Sequence, residues 1–142
     1  MMDLCPLIND IEVSVINKIL SNITIISGNS GEFSMLLNKL NFTNIEDFLV
    51  CYSNIQSAWV KQGEHGASAY IKDSNGKYFF VSEGIKDIIY AHNTTGCGDI
   101  FNAVVAYGIV SAQNHQNILL HAVQAGKEIA LGGIPWRTEA KI

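Results

Sequence analysis

The sequence predicts an α/β fold: a mostly parallel sheet with flanking helices and a β-hairpin at one side. Three observations predict it. A short β-branched run, Ile23 to Ile26, feeds at once into an amphipathic segment, and that unit is the one from which parallel sheets are built. Two runs rich in aromatic and β-branched residues flank Asp73-Ser74-Asn75-Gly76, a strong hairpin signal. The last third is apolar at helical spacing and stops at Gly132-Gly133.

Taken in order, Ile11, Val15, Ile16, Ile19 and Leu20 recur at helical spacing and predict a first helix, capped at Asn9 or Asp10. Ile23 to Ile26 reads as a buried strand. Asn29 then opens a helix carrying Phe33, Leu36, Leu37 and Leu40. Ala58 to Lys61 predicts another strand, and Ala67 to Ile71 with Lys77 to Ser82 forms the hairpin. Its Asn75-Gly76 turn is favoured because both residues tolerate positive φ. Ile88 to Tyr90 reads as one more strand. Phe101, Val104, Val105, Gly108 and Ile109 share a helix face, and the opposite face is barely more polar, so this helix is expected to be buried. A final helix carries Ile118, Leu119, Ala122, Val123, Gly126, Ile129 and Ala130. No repeat, low-complexity run or linker interrupts the chain, so residues 1–142 are expected to form a single domain.

Composition narrows the function classes. The chain has 142 residues, 48% of them apolar and 15% charged, enough for one sizeable core and too apolar for disorder. A net charge of -4 with no Lys/Arg stripe gives no hint of a nucleic-acid partner. The apolar runs are too short to span a bilayer, and a terminus with Asp3 and no basic or apolar leader predicts no signal peptide. Cys5, Cys51 and Cys97 lie far apart, cannot all pair within one chain, and lack the close spacing of a zinc site. A reducing cytoplasm fits best.

Chemistry concentrates in Asn93-Thr94-Thr95-Gly96-Cys97-Gly98-Asp99-Ile100-Phe101. Two glycines one residue apart let the backbone turn tightly and approach a ligand. They stand where a loop enters a helix, so unpaired N–H groups and the positive end of the helix dipole face one spot. An acid there repels a phosphate, but it makes sense if the carboxylate takes a proton from a hydroxyl attacking a phosphoryl group. The blander alternative is an ordinary turn followed by an ordinary cap residue, and spacing alone favours it. A Walker A loop is excluded, because no Lys-Ser or Lys-Thr follows the glycines.

The stretch resembles the signature of the ribokinase-like (PfkB) carbohydrate kinase family, commonly Asp-Thr-Thr-Gly-Ala-Gly-Asp-x-Phe. Thr94, Thr95, Gly96, Gly98, Asp99 and Phe101 match it, and Cys97 replaces the usual alanine. The resemblance implies that Asp99 is the general base and that Gly96, Cys97 and Gly98 form the anion hole for the transferred phosphoryl group, with Thr94 and Thr95 beside the nucleotide. Asn29-Ser30-Gly31-Glu32 resembles the family's Asn-x-x-Glu motif, which organises magnesium and phosphate largely through water, so Asn29 and Glu32 become nucleotide-side residues and Glu32 a water-mediated metal partner. The same spacing is also a helix capping box, and both readings can hold together. Lys61-Gln62-Gly63-Glu64-His65-Gly66-Ala67 resembles the segment beside the nucleotide phosphates, with Lys61 in place of a common threonine and Gly63 and Gly66 at its glycines; a tight turn between strands is the alternative. Ala122 to Gly126 resembles the adenine-side helix, with Val123 where asparagine is frequent and Gly126 retained.

Other departures carry consequences. Asn93 replaces the leading Asp that in many members helps to hold a monovalent cation, which leaves potassium activation doubtful. Cys97 at a helix N-terminus is a position that lowers thiol pKa, so redox sensitivity is a hypothesis for it. The resemblance covers the C-terminal half of a typical member, so a ribokinase-like fold truncated on its N-terminal side is expected. Asp3-Leu4-Cys5-Pro6 looks like the family's mid-chain strand end. An exposed sheet edge or face is then expected, with self-association and poor stability as an isolated monomer.

The resemblance thus implies transfer of phosphate from ATP, with Mg2+, to a hydroxyl of a sugar or nucleoside. Two other readings stand beside it: a non-catalytic nucleotide-binding remnant without a substrate-binding half, and a vitamin-precursor kinase of the same fold superclass. The last draws on Gly28-Asn29-Ser30 and the cysteine in the glycine loop.

Overall fold

The computed structural model describes residues 1–85, 91 and 93–132. Their order is β1 (Met2–Asp3), a 3-10 turn (Pro6–Asp10), α1 (Val13–Leu20), β2 (Ile25–Asn29), α2 (Ser30–Lys39), α3 (Ile45–Cys51) and β3 (Ser57–Lys61). A second 3-10 turn (Gly63–His65), β4 (Ala67–Lys72), β5 (Tyr78–Glu83), α4 (Cys97–Val110) and α5 (His115–Ala130) complete it. The sheet runs β1-β2-β3-β4-β5; β1 is parallel to β2 and β2 to β3, whereas β4 is antiparallel to β3. This is an α/β fold with the parallel strands, flanking helices and hairpin that the sequence predicts. The chain divides into two compact units, one of residues 1–63 and 67–82, the other of 64–66 and 83 onward.

In the first unit, alternation along the strands sends Leu4, Ile26, Ala58 and Val60 to one sheet face. There they meet Ile8 of the 3-10 turn, Ile16 and Leu20 of α1, Phe33 and Leu36 of α2, and Phe48 and Leu49 of α3. Each such side chain fully buried contributes roughly 1.5–3 kcal/mol, so this cluster is the main driving force of the unit. Three details differ from expectation. The first helix is capped by Glu12, without a side-chain bond, because Pro6 starts a 3-10 turn that absorbs Asn9 and Asp10. The second strand is shifted to Ile25–Asn29, set by its register against Ser57–Lys61. Helix α3, not foreseen, is signalled only by Asn44, whose side chain accepts the Asp47 N–H at 2.8 Å, and by Glu46 and Asp47 in its first turn.

The hairpin turn closes through Gly76 N–H donating to the Asp73 carbonyl and Asp73 N–H to that of Lys77. The Asp73 carboxylate also accepts from Asn75 and Lys77 N–H. Gly76 alone adopts positive φ, at 79°, and Asn75 does not, so the turn is a longer one ending in a left-handed glycine rather than a two-residue loop.

In the second unit, α4 and α5 pack at Gly108, where an added Cβ would sit 2.5 Å from Ile118 Cγ1. Phe101, Val105, Ile118, Leu119, Ala122 and Val123 are buried. The expectation of a fully buried α4 is corrected. Its other face carries Tyr107 at 68% and Val110 at 87% exposure, because an apolar composition on all sides does not by itself supply partners on all sides. Gly132, at φ 84°, follows α5, as expected of a helix stop, and Gly133 lies outside the described residues. So does the strand expected at Ile88 to Tyr90.

His115, the first residue of α5, has its imidazole pKa lowered from the ordinary value of 6.5 by desolvation. The folded chain therefore disfavours the imidazolium. Stability is fully present above 6.5 and falls as pH drops below it, because the unfolded chain binds the proton first; the loss levels off below the lowered folded value. Thermal melts between pH 8 and 5 are expected to show a steeper loss for the native chain than for His115→Asn. Parallel curves would sink this assignment.

Candidate active site

The first unit gathers three strand ends. Asp3, Asn29 and Lys61 close β1, β2 and β3 on their carboxyl side, the side on which open α/β sheets hold ligands. Asn29 caps α2: its side chain accepts the Glu32 N–H at 2.9 Å, and the Glu32 carboxylate accepts the Asn29 N–H at 2.7 Å. The Asn-x-x-Glu stretch is thus a complete capping box, with Glu32 buried. Ser30 Oγ donates to the Lys61 carbonyl at 3.3 Å, tying the start of α2 to the end of β3. The Lys61 ammonium lies 2.9 Å from Asp3 Oδ1. The sequence marks Asp3 only as a strand end; no local signal reveals a partner 58 residues away. Gly63 turns with φ 59° and has open space where a side chain would sit.

The second unit holds the glycine loop. Asn93 Oδ1 accepts the Thr95 N–H at 2.8 Å, and Cys97 N–H donates to the Thr94 carbonyl at 3.1 Å. Gly96 is the N-cap of α4 in the left-handed region, φ 86°, with no atom within 4 Å of where its Cβ would be. The first intrahelical bond of α4 runs from Ile100 N–H to the Gly96 carbonyl, so the Gly98 and Asp99 N–H groups find no acceptor among the described residues. Asp99 lies in the first turn, exposed, with no hydrogen bond to another described residue. It does not cap the helix; Gly96 does.

Gly126 of α5 lies against this turn: an added Cβ would be 3.8 Å from the Cys97 carbonyl. Val123, one turn earlier, is buried. Gly66 belongs to the same unit, its Cα facing the Glu83 carbonyl so closely that only glycine fits. The structure therefore brings Thr94, Thr95, Gly96, Cys97, Gly98, Asp99 and Gly126 together in one unit, and Asn29, Glu32 and Lys61 together in the other.

The expectation of a lowered Cys97 pKa is corrected. Partial burial pushes the thiol up, and the hydrogen bond from its own backbone N–H offsets this only in part. Alkylation by iodoacetamide near pH 7.5 is expected to modify the exposed Cys5 and Cys51 first and Cys97 last, as followed by mass spectrometry. Cys97 reacting first would reverse this reading.

A left-handed glycine N-cap, N–H groups without an acceptor among the described residues and a 14-residue helix behind them suit a phosphoryl group. Among the described residues no three His, Cys, Asp or Glu side chains cluster as a metal site built from side chains alone needs.

A family model described as pfkB family carbohydrate kinase matches residues 4–131. The chain belongs to the pfkB family. Solved structures of similar fold include a Burkholderia thailandensis nucleoside kinase in complex with inosine, 22% identical with a TM-score of 0.73, covering 88% of this chain and 39% of that one. A Methanocaldococcus jannaschii nucleoside kinase of the ribokinase family is 20% identical with a TM-score of 0.75, covering 92% and 41%. An Arabidopsis thaliana ribokinase complexed with ribose and ATP is 27% identical with a TM-score of 0.62, covering 78% and 35%. The chain therefore spans about two-fifths of the length of these kinases. No curated protein matches it. Among the described residues no helix is long and apolar enough to cross a membrane.

Proposed function

We propose that this pfkB-family chain is the nucleotide-binding, catalytic half of a kinase that transfers phosphate from ATP to a hydroxyl of a sugar or nucleoside. The observation that carries the reading is the exposed Asp99 carboxylate, without a partner among the described residues, beside the Gly98 and Asp99 N–H groups of the α4 N-terminus, which find no acceptor among them either. ATP supplies the phosphoryl group, and Mg2+, approached through water by Glu32, offsets the charge on its phosphates. Asp99 takes the proton from the acceptor hydroxyl as the new O–P bond forms and the bond to the leaving diphosphate breaks. Gly96, Cys97 and Gly98 present the backbone that receives the transferring group. Asn29, Lys61, Gly63, Gly66, Thr94, Thr95, Val123 and Gly126 are assigned to the nucleotide. Residues 1–142 act as one functional half in the cytoplasm. The short edge strand β1 and the exposed Phe79 and Phe80 of β5 favour self-association through the sheet.

A second reading, a nucleotide-binding remnant without turnover, draws on the structural roles that Asn29 and Glu32 in the capping box and Gly66 against the Glu83 carbonyl hold without any ligand. Calorimetric titration with ATP and Mg2+, beside a phosphotransfer assay on the native chain and Asp99→Asn, separates the two. Turnover lost in the variant supports the kinase; binding without turnover in the native chain supports the remnant; no binding sinks both.

A further inference from the structure

The Lys61–Asp3 pair joins the ends of two strands that are not neighbours. Asp3 pairs with Ser27 on β2, and Lys61 pairs with Asn29 on the other side of β2, so the lysine reaches diagonally across the middle strand to the edge strand. The contact is short, 2.9 Å, but one-sided in its surroundings: the Lys61 side chain is 18% exposed and that of Asp3 42%. Asp3 makes no other side-chain bond among the described residues, and the lysine backbone is fixed independently, its carbonyl accepting from Ser30. The ammonium is thus held by a carboxylate that water can reach and that an anion can displace. A partly exposed ion pair of this kind is weak beside the charge-assisted bonds an ammonium makes to a phosphate.

The geometry points to Asp3 as a positioning residue that holds Lys61 at the strand ends and competes with a polyphosphate ligand for it. This rests on the reading above that Lys61 serves the nucleotide. Asp3 keeps the lysine extended towards the rim and lowers its affinity for any single anion. Only a ligand with several phosphoryl oxygens displaces the carboxylate readily.

The probe is inorganic tripolyphosphate, titrated calorimetrically into the full chain at low ionic strength, with melting temperatures recorded in parallel. Asp3→Asn is expected to bind about two- to fivefold tighter than the native chain, the factor that corresponds to the loss of a partly exposed ion pair. Lys61→Met is expected to bind about tenfold more weakly, and Asp3→Glu to match the native chain. Tightening on loss of a carboxylate is an outcome that a purely structural clamp does not give. Asp3→Ser repeats the test should the amide variant melt early. Native binding with unchanged or weaker affinity in both neutral variants overturns the competition and leaves the nucleotide reading standing. Absence of tripolyphosphate binding by the native chain overturns both.

Discussion

Asp99→Asn is expected to lower phosphoryl transfer to a hydroxyl acceptor by roughly 10²–10⁴-fold, the usual weight of a general base. The substitution is nearly isosteric, and the side chain is exposed without a bond to another described residue. The fold loses only the favourable placement of an acid in the first turn of α4, about 0.3–1 kcal/mol, too little to mimic a hundredfold loss by unfolding. ATP affinity is expected to hold or to rise slightly, since a negative charge leaves the neighbourhood of an anion. Steady-state turnover and calorimetric affinity, measured on the same preparations, separate the two effects. A variant within about threefold of native turnover would remove Asp99 from the chemistry.

Gly66→Ala is expected to destabilise the chain by on the order of 3–5 kcal/mol, a large part of the stability of an ordinary domain. Two costs add. Gly66 holds φ 92°, where a side chain is strained, and its Cβ would lie 2.0 Å from the Glu83 carbonyl oxygen and 2.9 Å from Gly84 Cα. Both obstacles are backbone, so neither can rotate away. Gly63→Ala is the control. At φ 59° with nothing within 4 Å it carries the strain without the collision, and about 1 kcal/mol is expected. Urea melts of the three proteins test the difference; equal midpoints for the two variants would refute the steric account. The comparison also bears on function, because it gives Gly66 a packing reason to be glycine whether or not a phosphate lies nearby.

Much of the fold was legible because its signals are local. The Asn29–Glu32 capping box, the turn at Asp73–Gly76, the α5 stop at Gly132 and the glycine loop before α4 each lie within a few residues, and each formed where its spacing indicates. What was misplaced depended on distant residues. The start of β2 follows its pairing with β3, the exposed side of α4 follows what does and does not pack on it, and α3 carries too short a pattern to stand out. The raised Cys97 pKa has the same origin: a helix N-terminus is readable in sequence, but the burial that outweighs it is not.

By itself the sequence determined the family motif, the α/β class and the positions of the main caps and turns, since spacing and residue type suffice for backbone conformation and capping. Only the tertiary structure decided what those residues meet. Lys61 found Asp3, Gly66 found the Glu83 carbonyl, and Gly126 came to rest against the Cys97 carbonyl, because strand register and helix packing set such distances between residues far apart in the chain.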